Sequence, residues 1–292
     1  MLPLTAIAAE NNWSKVGDAL GKSGMEMSGG VYRVGLPRTD LHVTLDGVAI
    51  KPALALGSWV AFQSHGGDTM VMGDLVLTES EIDPVMKKLA EGGIEITALH
   101  NHLRRAQPET FYMHVFGHGD PVKLATLLHD GLTLSGTPLG NATASASSQP
   151  PAVGGSTQAP AIDLDTAMID RTLGVKGKGV SGVYQVGIPR AGSIHDGGME
   201  VPGAMGSAEA INFQPPGGGK AAITGDFVLT AEEVNPVLRA LRENGIEVTA
   251  LHNHMLDEHP RLFFMHFWAN DKAAKLAKGL RAALDKVHLA KS

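Results

Sequence analysis

Six of the chain's 13 histidines fall into two matched sets. His100 and His102 are followed by His114, and His252 and His254 by His266, so each set is a His-x-His with a third histidine twelve residues on. On a strand, residues two apart point to one face, which would set the paired imidazoles side by side. A hairpin turning at His259 would then bring His266 near-opposite His252, and three rings would converge. Imidazole suits zinc, copper and iron, and three protein ligands with one open position describe a catalytic zinc centre. The expected cofactor is a divalent metal, zinc foremost, with copper or iron as alternatives.

A metal of this kind would serve hydrolase-type chemistry on an ester or amide, by polarising a carbonyl and acidifying water. Asp257 and Glu258, in the turn of the second set, are the candidate catalytic proton carriers. The competing reading is a non-catalytic cell-envelope module that binds a glycan, a peptide or another small ligand. Asn101, Asn253, Tyr112 and Phe264 would then be contact residues beside the histidines. The plain structural alternative is that the histidines cap a hairpin by bonding loop carbonyls. Against it, the loops differ (Leu103-Arg104-Arg105-Ala106-Gln107 against Met255-Leu256-Asp257-Glu258-His259) while the triads match. Glu95 and Glu247 stand at odd offsets from the first histidine and are expected on a solvated face. Met113 and Met265 alternate away from the third histidine and are expected in a core. His118 has Asn270 at its matched position and reads as a surface residue.

The elements that must position these residues come from a duplication. Val31-Tyr32-Arg33-Val34-Gly35-Leu36-Pro37-Arg38 returns as Val183-Tyr184-Gln185-Val186-Gly187-Ile188-Pro189-Arg190, at an offset of 152. Residues 73–102 and 225–254 share 19 identities in 30. Residues 11–136 form one repeat and 162–292 the other, joined by an uncharged Ala/Ser/Gly/Pro-rich linker over 137–161. Within each repeat an apolar strand meets a Thr-x-x-Glu capping box (Thr78 to Glu81, Thr230 to Glu233), which starts a helix. Glycine ends that helix at Gly92-Gly93 or Asn244-Gly245, a strand runs into the His-x-His, and a second strand carries the third histidine. A helix with Leu276, Leu280, Leu284 and Val287 on one stripe closes the second copy. The fold class is α+β: two β-α-β-β-α units, each an antiparallel sheet with helices packed on one face, of ferredoxin-like character. A single fused sheet is the alternative arrangement.

Composition narrows the function classes. The net charge of −6 and the lack of a Lys/Arg block argue against nucleic acid as a partner. With no cysteine, thiolate zinc sites, thiol catalysis and iron–sulfur clusters are excluded. No apolar run reaches the ~18 residues of a spanning helix. His-Asn-His is not the spaced signature of an HNH nuclease, Gly217-Gly218-Gly219-Lys220 lacks the P-loop frame and reads as a hairpin turn, and no Gly-x-Ser-x-Gly elbow occurs. The first ten residues look like the tail of a secretory signal, with Ala6-Ile7-Ala8 as a small-x-small cleavage pattern.

Gly225-Asp226-Phe227-Val228-Leu229-Thr230, Asn235-Pro236-Val237-Leu238, Ile246 through His254 and Pro260 through Ala269 together resemble the LppY/LpqO family, a domain of unknown function (DUF1259). The resemblance covers both repeats and implies an exported bacterial protein, periplasmic or secreted. The family takes its name from lipoproteins, but a chain without cysteine has no lipobox, so no lipid anchor is expected.

Overall fold

A computed structural model describes residues 13–65, 67–140 and 162–290. The signal-like segment and most of the linker, 141–161, lie outside the described residues. The first repeat runs α1 (Trp13–Leu20), β1 (Met25–Met27), β2 (Val31–Pro37), β3 (Thr44–Leu45), β4 (Val48–Ala49), α2 (Pro52–Ala55), β5 (Gly57–His65), β6 (Asp68–Leu77), α3 (Glu79–Gly92), β7 (Glu95–His100), β8 (Phe111–Gly119) and α4 (Pro121–Leu132). The second runs α5 (Thr166–Leu173), β9 (Lys178–Val180), β10 (Val183–Ile188), β11 (His195–Asp196), β12 (Met199–Glu200), β13 (Glu209–Gly217), β14 (Lys220–Leu229), α6 (Ala231–Glu243), β15 (Glu247–His252), β16 (Phe263–Lys272) and α7 (Ala273–Leu284).

Each repeat builds its own six-stranded antiparallel sheet with the same strand order, β1-β2-β5-β6-β8-β7 and β9-β10-β13-β14-β16-β15. The expected β-α-β-β-α unit is therefore present twice, widened by a long strand in each sheet, β5 in the first and β13 in the second, and the two sheets are separate. Gly217 pairs with Lys220, so the glycine run is a hairpin turn. The capping boxes start α3 and α6: the Thr78 and Thr230 N–H groups donate to Glu81 and Glu233, each at 2.8 Å. Those glutamates also anchor Arg38 at 2.8 Å and Arg190 at 2.8 Å, the arginines that end the repeated β-strand motif.

Helices cover one face of each sheet. Met113 sits fully buried between the first sheet and its helices, and Met265 does the same in the second, as the alternation predicts. The opposite faces meet each other, so the molecule is layered helix, sheet, sheet, helix. Two apolar clusters that draw on both repeats fill the gap: one includes Met72, Phe116, Met255 and Phe264, the other Leu45, Leu103, Tyr112 and Trp268.

Each repeat also sends an arm over its neighbour's sheet. The arm carrying α2 lies on β13 and β14; Gln185 of β10 donates to Ala53 O at 2.8 Å and Gln214 of β13 to Ala49 O at 2.7 Å. In return the segment Gly203–Met205 rests on β2 and β5, and Arg33 donates to Ala204 O at 2.6 Å. The facing surfaces are thereby locked, and neither sheet's inner face is covered by its own repeat alone.

Candidate metal centre

The histidines converge, by a different register from the expected one. Antiparallel pairing sets His252 opposite Phe264 and His266 opposite Ala250, and likewise His100 opposite Tyr112 and His114 opposite Ala98. His252 and His266 are thus diagonal neighbours on one face, because a long loop joins the strands instead of a tight turn at His259. Directly paired residues share a face, so Tyr112 and Phe264 enter the same layer as the rings. Each stacks on the middle histidine of its own triad, His102 or His254, with centroids 3.4 Å apart in both cases.

The larger correction is that the two triads do not stand apart. His100 stacks on His252 with centroids 3.6 Å apart, His102 meets His266 at 3.5 Å, and His114 meets His254 at 3.9 Å. Adding 152 to each number exchanges the last two pairs and returns the first to itself. A pseudo-twofold axis therefore passes between His100 and His252, and six imidazoles form one layer between the sheets. Two groups of ring nitrogens lie within 4.8 Å of one another: His100, His102, His114 and His252, and then His252, His254 and His266.

Their hydrogen bonding leaves the inward nitrogens bare. His266 Nδ1 lies 2.8 Å from Gly225 O, and His114 makes the matching bond to Gly73. A carbonyl can only accept, so the proton sits on Nδ1 and the Nε2 lone pair faces the cluster. Buried and without a hydrogen-bond partner are Nε2 of His102, His114, His254 and His266, and both ring nitrogens of His100 and His252. Burial holds all six rings neutral: it pushes His254 down to about 3 and drives the other five below their ordinary range. Neutral imidazoles with buried lone pairs are a donor set that fits a transition-metal ion, and the cluster can hold one.

Two carboxylates that the spacing of the histidines gave no reason to include stand in the same layer. Asp74 pairs with His114 in the strand register, and Asp226 with His266. Asp226 Oδ2 is 3.3 Å from His254 Nε2, and Asp74 Oδ2 is 4.0 Å from His102 Nε2. Desolvation raises Asp226 to about 6, and it raises Asp74 well above the usual carboxylate range, with the Asp226 charge adding to the shift. The signal was in the repeat itself: Gly73-Asp74 and Gly225-Asp226 each place a charge inside an otherwise apolar strand.

The remaining predicted residues serve the surrounding loops. Glu258 is buried, accepts from Leu262 N at 2.9 Å and faces Arg261 at 3.4 Å, while Asp257 is exposed; neither joins the groups gathered at the histidines. Asn101 accepts from Leu103 N and donates to Glu109, whereas Asn253 crosses the interface to donate to Thr97 O at 2.9 Å. Tyr112 and Phe264 are buried under the histidines, and Tyr112 also donates to Ala55 O at 2.8 Å. Glu95 is exposed as expected, but Glu247 takes Arg105 of the other repeat at 2.9 Å. His118 pairs with Asp68 at 3.4 Å, outside both groups.

The family model described as Domain of Unknown Function (DUF1259) matches residues 14–134 and again 167–286. The chain belongs to the DUF1259 family. Each match spans one repeat and one histidine triad, so the paired arrangement is two family domains facing each other. A comparison with curated proteins finds no match. Among solved structures, the trimeric bacterial microcompartment shell protein PduB aligns over 90% of this chain and 89% of its own. Its identity is 13% and its TM-score 0.21, and at that score the likeness carries no weight. Among the described residues no helix is long and apolar enough to cross a membrane.

Proposed function

We propose that this DUF1259 protein is an exported metal-binding protein that takes a divalent transition metal, zinc first, at the histidine layer between its repeats. One observation carries the reading: eight buried imidazole nitrogens without a partner. Each such nitrogen left bare costs on the order of 1–3 kcal/mol, a cost that metal coordination removes. Water could satisfy some of them, but six neutral rings aimed at one another match the preference of zinc for nitrogen more closely than that of a water cluster. The Ala6-Ile7-Ala8 pattern supports a periplasmic or secreted location.

For hydrolase-type chemistry, the bound cation would supply Lewis acidity toward a carbonyl or phosphoryl oxygen. This chain's part is to hold the His114 and His266 imidazoles by the Gly73 and Gly225 carbonyls, and to place Asp226, 3.3 Å from His254 Nε2, as the carboxylate that can take or give a proton. Asp226 takes this role because Glu258 is committed to its loop. His100 and His252 are the partly exposed histidines of the layer.

Metal analysis of the full chain purified without a histidine tag tests the proposal. A stoichiometric metal that falls sharply in His252→Ala/His254→Ala is expected. Less than about 0.2 ion per chain, with no uptake of added zinc, overturns it.

A further inference from the structure

The two ligand groups share a residue, and the sharing has a chemical meaning. His252 belongs both to the group with His100, His102 and His114 and to the group with His254 and His266. His100 and His252 are also the two rings on the pseudo-twofold axis, stacked at 3.6 Å, and the only two of the six with both nitrogens buried and unpartnered. One tetrahedral ion would take four nitrogens and leave four of the eight bare. Two ions drawing on the two groups would take seven of the eight nitrogens, provided the shared His252 ring gives up its proton to solvent and binds through both nitrogens as an imidazolate, while the second nitrogen of His100 keeps its N–H. Asp74 Oδ1 and Asp226 Oδ1, each buried without a partner, border the same layer.

We infer that the layer holds two cations as one coupled centre, one per triad, with His252 common to both ligand sets. The inference rests on the metal-binding reading above and adds the number of ions and their dependence on each other. The first-repeat group already has four ring nitrogens in mutual reach and the second has three, so the two positions differ in strength. The first-repeat position fills first. Coupling follows from the shared ring: a change at His252 reaches both positions, whereas His102 and His266 each belong to one group only. A centre of this kind also ties the repeats together, since the ion held by His100, His102 and His114 also draws on His252 from across the interface.

The test is titration of the chelator-stripped full chain with cobalt(II), read by visible absorption and by metal analysis after gel filtration, followed by copper(II) loading read by electron paramagnetic resonance. Two equivalents that bind in succession are expected, with the copper signal losing intensity as the second equivalent enters. His266→Ala should lose the weaker equivalent and keep the stronger. His252→Gln, a variant with a small change in size, should weaken both by about tenfold or more. Circular dichroism of each variant confirms that it is folded, and Met168→Leu, on the outer helix α5, serves as a folded control that keeps both equivalents. One equivalent in the wild type overturns the paired centre and leaves the metal-binding reading standing. Two equivalents with undiminished copper signal, or with only one affected by His252→Gln, overturn the sharing. No uptake at all overturns the metal-binding reading itself.

Discussion

Gly225→Ala is the sharpest test of how the layer is held. A Cβ at this position would lie 1.9 Å from Ala210 O and 2.9 Å from Ala210 C on β13, and 3.0 Å from the Phe267 ring. Backbone cannot swing aside as a side chain can, so β13 and β14 must part by about 1.5 Å to restore van der Waals contact. Overpacking of this kind costs about 3 kcal/mol. At about 2–4 °C per kcal/mol, the unfolding midpoint of the metal-stripped chain falls by about 6–12 °C. The same shift moves the Gly225 carbonyl that fixes the His266 proton, so cobalt affinity falls by about 10–100-fold. Gly73→Ala, with Trp59 O at 2.8 Å, should follow in the same direction and by less. Gly35→Ala, on β2 with nothing near its Cβ, is the internal control and should be neutral or slightly stabilising. Thermal melts by circular dichroism, with the cobalt titration alongside, make the comparison. A Gly225→Ala chain that melts within a degree of wild type, or a Gly35→Ala chain that falls as far, would refute the close-approach argument.

Two further outcomes follow from particular contacts. Tyr112→Phe removes the hydroxyl that donates to Ala55 O and leaves the ring on His102, so urea unfolding should show a loss of about 1 kcal/mol while metal stoichiometry holds; a lost equivalent would contradict the assignment of the hydroxyl to the arm. Glu209 is fully buried, and desolvation raises its pKa well above the carboxylate range, while Val228 N donates to it at 2.8 Å. A raised native pKa makes the wild type lose stability as pH climbs past the unfolded value near about 4.3. Glu209→Gln keeps the Val228 bond and removes the charge, so its advantage in melting temperature should grow toward pH 8 and vanish below about pH 4. An advantage that is flat with pH would show that the native pKa of Glu209 is not raised above its unfolded value.

Local signals carried the β-α-β-β-α unit because each is written over a few residues: the Thr-x-x-Glu boxes, the glycine stops and the alternation that buries Met113 and Met265. The triads were legible for the same reason, as spacing within one hairpin. Their union was not, since nothing along a strand states which sheet face its partner repeat will cover. The His252–His266 diagonal was misread because register depends on loop geometry, and residues 253–262 form a long loop pinned by Asn253 and Glu258 rather than a tight turn. Asp74 and Asp226 were visible as repeat anchors, but a carboxylate inside an apolar strand gains meaning only when the opposite rings arrive. The arms escaped notice because their short strands, such as Thr44–Leu45 and His195–Asp196, leave no periodic pattern to read.

The pseudo-twofold is broken in small ways: Thr97 donates to His254 O at 2.6 Å while its twin Thr249 has a buried hydroxyl without a partner, and Tyr112 faces Phe264 across the axis. A true homodimer writes every substitution twice, so neither half can change without the other. Fusing two copies into one gene lifts that constraint. One half is then free to keep an inherited pocket while the other drifts, and a single chain acquires two unlike neighbours from one ancestral design.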